Sequence, residues 1–292
     1  KHNKGFYMQG FEVVAILLLF GCAMARNLIM RPAAIHFPGK ATPAFSGIWM
    51  LLASFCLLPF YYPLLLEALP SIQTNPAIVL VSFAKGLFLW GSITLTQIIR
   101  RHSSSSAAFR SLLTVGLLAI FNAGLGEVLN FWQWSSVIVL SILGAAFLLH
   151  GHLKQLPQQA KYLFTILVFI SALPGMTDQI VITQTNWYVQ FILSTISLCI
   201  ISAVINRDLS VFKKAFSHKV CFMAGATWGV TEVIILMLLV TYVPVTVGAA
   251  AMAMSVPTVM LISSLRWKEG RWWEQALFGS TAYVAAIPLF IL

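Results

Sequence analysis

Apolar segments follow one another along almost the whole chain, with only short polar loops between them. A helix of about 20 apolar residues crosses the hydrocarbon core of a bilayer, because each residue adds about 1.5 Å. Of the 292 residues, 59% are hydrophobic and 9% are charged, whereas a soluble globular protein has about 25% charged residues. The pattern predicts an all-α membrane protein without room for a soluble domain.

By this length criterion we place about ten transmembrane helices on the chain. They cover residues 10–30, 45–66, 77–99, 105–124, 132–150, 161–183, 187–206, 219–241, 245–265 and 272–292. No small-residue cleavage site follows the first apolar run, so we interpret it as a retained helix and not as a signal peptide. Residues 1–150 and 151–292 would each contain five helices of one integral membrane unit.

The net charge of +10 comes mainly from basic residues in alternate loops. The positive-inside rule therefore puts these loops in the cytoplasm and both termini outside. We expect the cytoplasmic membrane of a bacterium, and no nucleic-acid partner, because the charges form no long basic patch. The loop residues are Arg31, Lys40, Arg100, Arg101, Lys154, Lys161, Arg207, Lys213, Lys214, Lys219, Arg266, Lys268 and Arg271.

The sequence contains little that indicates enzyme chemistry. It has no G-x-S-x-G, H-E-x-x-H, Walker or dinucleotide-binding motif. The cysteines lie in or beside apolar segments without metal-ligand spacing, so we interpret them as packing residues. The pair His150-x-His152 has no carboxylate nearby. We therefore expect no catalytic residue, no cofactor and no metal site.

The two halves of the chain contain corresponding residues in the same order. Glu127 and Gln133 correspond to Glu269 and Gln275, and the segment M-A-R-N-L-I with Arg26 corresponds to M-T-D-Q-I-V with Asp178. Further matches are Ala107-Ala108 with Ala249-Ala250, and Trp90-Gly91 with Trp228-Gly229. An odd number of helices in each half inserts the second half upside down, as in the inverted repeats of many secondary transporters.

Two segments that close the halves resemble the Gly/Glu…Gln…Gly signature of EamA-like transporters in the drug/metabolite transporter superfamily. They are residues 125–133 (L-G-E-V-L-N-F-W-Q) and residues 267–279 (W-K-E-G-R-W-W-E-Q-A-L-F-G). The resemblance covers the whole chain and implies ten helices, a cavity between two halves, and export or exchange of small metabolites by alternating access.

The chain also departs from this family in three respects. Residues 66–75 lack the basic residues that many members have in that loop, and the fourth helix of the first half has no proline that would match Pro257. Members commonly keep both termini in the cytoplasm, whereas the charge pattern here puts them outside.

The ionisable residues inside the predicted spans are Arg26, Lys85, Arg110, Asp178 and Glu232. Such residues are costly in hydrocarbon and indicate a functional site by default. Alternatively, each pairs internally or snorkels and merely locks helices together. For Arg110, about one turn into its helix, we expect snorkelling. The pair Pro174-Gly175 before Asp178 favours a kink or a break there.

We expect Arg26 and Asp178 to face each other across the axis between the halves and to pair when no ligand is bound. The amides of Asn27 and Gln179 lie beside them in the sequence. In this hypothesis Arg26 and Lys85 bind an anionic group of the substrate. Asp178 or a second carboxylate would take an amine or a coupling proton.

Glu232 is that second carboxylate, and it lies one helical turn from Trp228. Trp90 follows Lys85 in the corresponding helix of the first half. An aromatic ring beside a carboxylate suits a cationic or aromatic group. The alternative is that both tryptophans are packing residues or interface anchors.

These residues lead to one main hypothesis, a secondary transporter of a small polar metabolite such as an amino acid or a related organic anion. Its partners would be this substrate, a coupling proton and the bilayer, and the protein would be a monomer or a homodimer. Small residues at 103–108 and 248–253 would form a contact between halves or subunits. The alternatives are a membrane-embedded lipid-handling protein or enzyme, and a structural subunit without transport activity.

Overall fold

The computed structural model describes residues 10–147, 156–208, 210–239 and 241–291. Within these residues the chain is helical and contains no β-strand, as the apolar segments predicted. Residues 1–9, before the first helix, lie outside the described residues. His150, His152 and Lys154 lie outside them as well.

The helices follow one another with short connections, and their ends are close to the predicted ones for most of the chain. Ser103 and Asn186 cap the helices that follow them, since their side chains accept hydrogen bonds from backbone N–H groups of the first turn. In order, the elements are α1 (Gly10–His36), a 3₁₀ turn (Gly39–Ala41), α2 (Thr42–Thr74), α3 (Ala77–His102), α4 (Ser104–Gly124), α5 (Phe131–Phe147), α6 (Gln158–Gln184), α7 (Trp187–Asn206), α8 (Ser210–Ser217), α9 (Lys219–Leu238), α10 (Val245–Ala253), α11 (Ser255–Trp267) and α12 (Trp272–Ile291).

In the part of the chain that is described, 8 segments are long and apolar enough to cross a membrane. They comprise α1, α2 with the preceding turn, α3, α4, α6, α7, α9, and α10 together with α11. Large apolar side chains on their outer surfaces are exposed, including Leu80 and Leu265. A surface of this kind is stable in lipid and not in water, so the chain is an integral membrane protein. That α5 and α12 also cross the membrane stays a prediction.

Two features of the loops differ from the prediction. Helix α2 has 33 residues and continues to Thr74, so residues 66–75 are largely helical. Its length of about 50 Å exceeds the hydrocarbon thickness of about 30 Å, and one end therefore extends beyond the apolar layer. Helix α8 was not predicted, because its 8 residues include Lys213 and Lys214 and are too short and polar for a span.

The span predicted for residues 245–265 is divided at Met254 into α10 and α11. The physical reason is Pro257, which has no N–H to donate to the carbonyl of Ala253 four residues earlier. A kink or a break was also expected at Pro174-Gly175; α6 continues through both residues without a break, and the kink stays a prediction. Packing of α6 against α3 and α4 compensates for the single hydrogen bond that Pro174 removes.

Helices from the first part of the chain pack mainly against helices from the second. Helix α3 packs against α6 and α7, α2 packs against α7 and α9, and α1 packs against α9 and α10. Two glycines allow the closest approaches: Gly86 on α3 lies against Ser197 on α7, and Gly225 on α9 lies against Trp49 on α2. These contacts surround a central space between α1, α3, α4, α6, α9 and α10.

Candidate functional site

A central cavity of about 170 Å³ lies between these helices. A cavity needs only about 10–15 Å³ by this measure to hold one water molecule, so this one has room for a small solute. Its wall combines apolar side chains with polar ones, unlike the lipid-facing surface. The polar and charged residues in the wall are Arg26, Asn27, Ser92, Arg110, Ser111, Thr114, Ser171, Asp178, Trp228 and Glu232.

A network of ion pairs joins four helices beside this cavity. Arg26 Nη2 on α1 is 3.1 Å from Glu232 Oε2 on α9, and Lys85 Nζ on α3 is 2.7 Å from Asp178 Oδ1 on α6. Lys85 Nζ also lies 3.5 Å from Glu232 Oε1, which connects the two pairs. Lys85 is fully buried, and the two carboxylates compensate the loss of water around its amino group.

Uncharged side chains also form hydrogen bonds with the charged groups of the network. Gln190 Nε2 on α7 donates to Asp178 Oδ1 at 2.9 Å. Thr231 Oγ1 accepts from both Nε and Nη2 of Arg26, at 3.1 and 3.0 Å. The guanidinium of Arg26 also lies over the ring of Trp228, 4.1 Å from its centroid. These contacts orient the charges as well as neutralise them.

The sequence-predicted residues divide into two groups in the structure. Arg26, Asn27, Asp178, Trp228 and Glu232 line the cavity. The others do not belong to its lining: Lys85 lies behind the two carboxylates, Trp90 packs in the apolar core around α3, and Gln179 is half-buried elsewhere on α6.

The predicted pairing of Arg26 with Asp178 is wrong. Helix α1 packs against α9, and α6 packs against α3, so each charge meets a partner on the helix beside it. Corresponding positions of an internal repeat are related by its axis, but they need not be in contact. A similar depth of Arg26 and Asp178 in the membrane stays a prediction.

Snorkelling was expected for Arg110, and the structure contradicts it. Its Nη1 donates to Ser92 Oγ on α3 at 3.0 Å and also to Ser171 Oγ on α6. The side chain thus points into the cavity and not along the helix to the membrane surface. Ser92 and Ser171 carry no distinguishing sequence signal, because single serines are common in helices of this kind.

Arg100 is another residue whose position the sequence did not indicate. It was assigned to a cytoplasmic loop, but its side chain is buried at the end of α3 and its Nη2 donates to Asn27 Oδ1 at 2.7 Å. Neutral partners such as Gln190 and Thr231 were likewise missed. Polar residues of this type are too frequent in apolar helices for spacing alone to identify them.

Glu269, in the turn between α11 and α12, binds the first residues of α4. Its carboxylate accepts from the backbone N–H of Ser104 at 3.2 Å and of Ser105 at 3.0 Å. It also pairs with Arg31 near the end of α1. A carboxylate is stabilised at a helix N-terminus because the free N–H groups and the helix dipole are positive there.

Glu127, in the turn after α4, makes the corresponding contact with α10. It accepts from the backbone N–H of Thr246 at 3.0 Å and from the Thr246 hydroxyl. In both turns the residue before the glutamate has a positive φ, +93° at Gly126 and +56° at Lys268. The two turns therefore present their carboxylates in a similar way.

The two glutamate contacts lie at opposite ends of α4. Ser104 at its first residue binds Glu269, while Asn122 in its last turn donates to Thr246 Oγ1 at 3.4 Å beside Glu127. The 21 residues of α4 separate them by about 30 Å. Arg110, Ser111 and Thr114 of the same helix line the cavity between them.

The described residues contain no group of three or more His, Cys, Asp and Glu side chains that would hold a metal ion. Comparison with known proteins adds no assignment: no protein-family model matches the chain, and no curated protein matches it.

Proposed function

We propose that the protein is a secondary transporter, an exporter or an exchanger, of a small polar metabolite such as an amino acid or a related organic anion. The observation that carries the proposal is the charged network beside a central cavity. Lys85, Asp178 and Glu232 are buried deep in a membrane-spanning helix bundle, where ionisable groups are retained mainly for function. A locking role alone would not require a cavity lined by Asp178 and Glu232.

The helix packing supports an arrangement of two five-helix repeats. In such a repeat, the most extensive contact between two helices of the chain has a counterpart between the two corresponding helices. The corresponding helices would be α1 and α6, α2 and α7, α3 and α9, α4 and the pair α10–α11, and α5 and α12. Helix α3 packs on α6 as α9 packs on α1, and α2 packs on α9 as α7 packs on α3. An odd number of helices in each repeat makes the second repeat inverted.

The ion pairs follow the same correspondence at the level of helices. Arg26 on α1 pairs with α9, and Asp178 at the corresponding place on α6 pairs with α3. Their partners Glu232 and Lys85 do not occupy matching positions along α9 and α3. Lys85 also lies near Glu232, which connects the two pairs. Relative movement of the halves would therefore change the network at its centre.

The glutamate contacts supply matching closures at the two ends of the cavity. Glu127 joins the end of the first half to α10, and Glu269 joins the end of the second half to α4. In alternating access one of these contacts would open while the other stays formed. Both glutamates belong to the segments that resemble EamA-like transporters, and membership of that group in a bacterial cytoplasmic membrane is part of the proposal.

The test is flux into proteoliposomes that contain the purified protein, with labelled amino acids and organic acids as a panel. We expect saturable flux of at least one compound, reduced tenfold or more by Asp178→Asn. The matched control is Asp208→Asn, which removes an exposed carboxylate outside the cavity whose hydrogen-bond partner among the described residues is Ser210. Its flux should equal that of the wild type.

Unchanged flux in both Asp178→Asn and Glu232→Gln would contradict the assignment of the network to the transport site. Absence of flux for the whole panel, in protein that is folded and inserted, would contradict the transport proposal itself.

A further inference from the structure

Arg110 is a cation in the cavity wall that has no carboxylate partner among the described residues. Its Nη1 binds the hydroxyls of Ser92 and Ser171, whereas Nε and Nη2 form no hydrogen bond within that part of the chain. A guanidinium has five N–H donors, so several of them remain available to a molecule in the cavity. A charge in this position is costly unless something compensates it.

The four charges of the ion-pair network beside the cavity already balance one another. Arg26 and Lys85 supply two positive charges, and Asp178 and Glu232 supply two negative charges within ion-pair distance of them. Arg110 therefore leaves one positive charge in excess in the wall. Arg26 is close enough to Arg110 to repel it electrostatically, which adds to the positive potential there.

We propose that Arg110 is the anion-binding residue of the cavity and that the transported molecule presents an oxyanion, a carboxylate or a phosphate, to its guanidinium. The inference rests on the proposed function, since it assigns one group of the transported molecule. Planar guanidinium groups bind both oxyanions through two parallel hydrogen bonds. Ser92 and Ser171 hold the group in place from α3 and α6.

This assignment moves the anion site away from Lys85. The Lys85 ammonium is fully buried, lies outside the cavity wall and is occupied by two carboxylates. A substrate would have to break two ion pairs to reach it. Arg110 needs no such exchange, because it lines the cavity and its Nε and Nη2 form no hydrogen bond among the described residues.

The experiment measures thermal unfolding of the purified protein in nanodiscs of zwitterionic lipid, at constant ionic strength. The probes are inorganic phosphate and acetate, and choline is the cationic comparison. We expect a saturable rise in unfolding temperature with at least one oxyanion and none with choline, because a ligand stabilises the state that binds it. Arg110→Met should weaken the apparent affinity at least tenfold, and Arg110→Lys should weaken it less.

The matched control is Arg101→Gln, which removes one positive charge from an exposed side chain whose hydrogen-bond acceptors among the described residues are the carbonyls of Ala34 and Phe37. Its affinity should equal that of the wild type. Without ligand, Arg110→Met should unfold at the same or a higher temperature than the wild type, because an uncompensated charge is gone. A purely structural arginine would instead lower the unfolding temperature and leave the affinity unchanged.

An unchanged affinity in Arg110→Met, or no stabilisation by phosphate, acetate or phosphatidic acid, overturns the inference. If Arg110→Met does not fold, Arg110→Lys decides: weaker binding supports the site and equal binding overturns it. Oxyanion binding without flux would contradict transport alone, whereas flux without oxyanion binding would contradict this site alone.

The oxyanion has two possible sources, a soluble metabolite or a lipid head group. A second set of nanodiscs therefore contains phosphatidic acid in place of part of the zwitterionic lipid. Arg110-dependent stabilisation by added phosphate supports the site with a soluble ligand. Arg110-dependent stabilisation that requires phosphatidic acid supports it with a head group as the ligand.

Discussion

Lys85 is the residue on which the charges of the network depend most. It is fully buried, and it compensates Asp178 and Glu232 together. Removal of one member of a buried ion pair is costly mainly because the remaining charge has no partner. The energetic role of Lys85 is therefore distinct from a role in ligand binding, for which its position is unsuitable.

We predict that Lys85→Met destabilises the protein by about 3–5 kcal/mol, the range found when one partner of a buried pair is lost. The measurement is thermal or denaturant unfolding in detergent micelles. The double variant Lys85→Met, Asp178→Asn is the control, and it should recover most of the loss because the pair of Arg26 with Glu232 stays intact. Equal destabilisation in the single and double variants would show that packing, and not charge, explains the effect.

The sequence identified the charged residues of the network but not the residues with which they pair. Arg26, Lys85, Asp178 and Glu232 are conspicuous because charges are rare in apolar helices. The pairs depend on which helices are neighbours and on the rotation of each helix about its axis. Neither quantity follows from residue order, and so the pairing of Arg26 was predicted incorrectly.

Helix α3 approaches α7 closely at Gly86, and this helix–helix contact can be tested by a single substitution. A Cβ atom on Gly86 would lie 2.8 Å from the backbone nitrogen of Leu198, a distance that needs movement of one helix. Gly21 in α1 is a matched control, because nothing lies within 4 Å of the same added atom.

We predict that Gly86→Ala destabilises the protein by about 1–3 kcal/mol through overpacking. Gly21→Ala should instead be neutral or stabilising by up to about 1 kcal/mol, since alanine favours a helix over glycine. Unfolding temperatures of the two variants, measured side by side, test this. Similar shifts in both variants would contradict the close approach of α3 to α7.

The existence and type of the elements could be predicted better than their interruptions. Apolar segments of sufficient length predicted most helices to within a few residues, because in lipid the backbone must satisfy its own hydrogen bonds. Prolines were less informative: α10 and α11 are separate before Pro257, whereas α6 continues through Pro174. The difference depends on the neighbouring helices, which the local sequence does not describe.

At the scale of the whole molecule, Glu127 and Glu269 form the two contacts that would have to open in turn. Each carboxylate binds backbone N–H groups at a helix N-terminus in the other half. Replacing the charge by an amide weakens such a contact by about 1 kcal/mol, or about fivefold in the population of its open form.

We therefore predict that Glu127→Gln speeds access to the cavity from the Glu127 end, and Glu269→Gln speeds access from the opposite end, each about fivefold. The rate of labelling of a cavity cysteine by an impermeant thiol reagent, applied to either side of the membrane, measures this. If both variants increased the labelling rate equally from the same side of the membrane, the two glutamate contacts would not close opposite ends of the cavity. The correspondence of these glutamates was visible in the sequence, but their bonds to helix N-termini were not.

The same cysteine reports most directly on whether the central cavity is a transport site. We would place it at Ser111, which lines the cavity on α4, after replacing Cys22, Cys56, Cys199 and Cys221 by alanine. Exposed positions Thr74 and Ser210, substituted one at a time by cysteine, mark the two sides of the membrane.

If the cavity is a transport site, each marker is labelled from one side only, whereas Ser111→Cys is labelled from both sides in vesicles that remain impermeable to the reagent. Labelling of Ser111→Cys from one side only, or from neither, would contradict alternating access to the cavity between Arg110, Asp178 and Glu232.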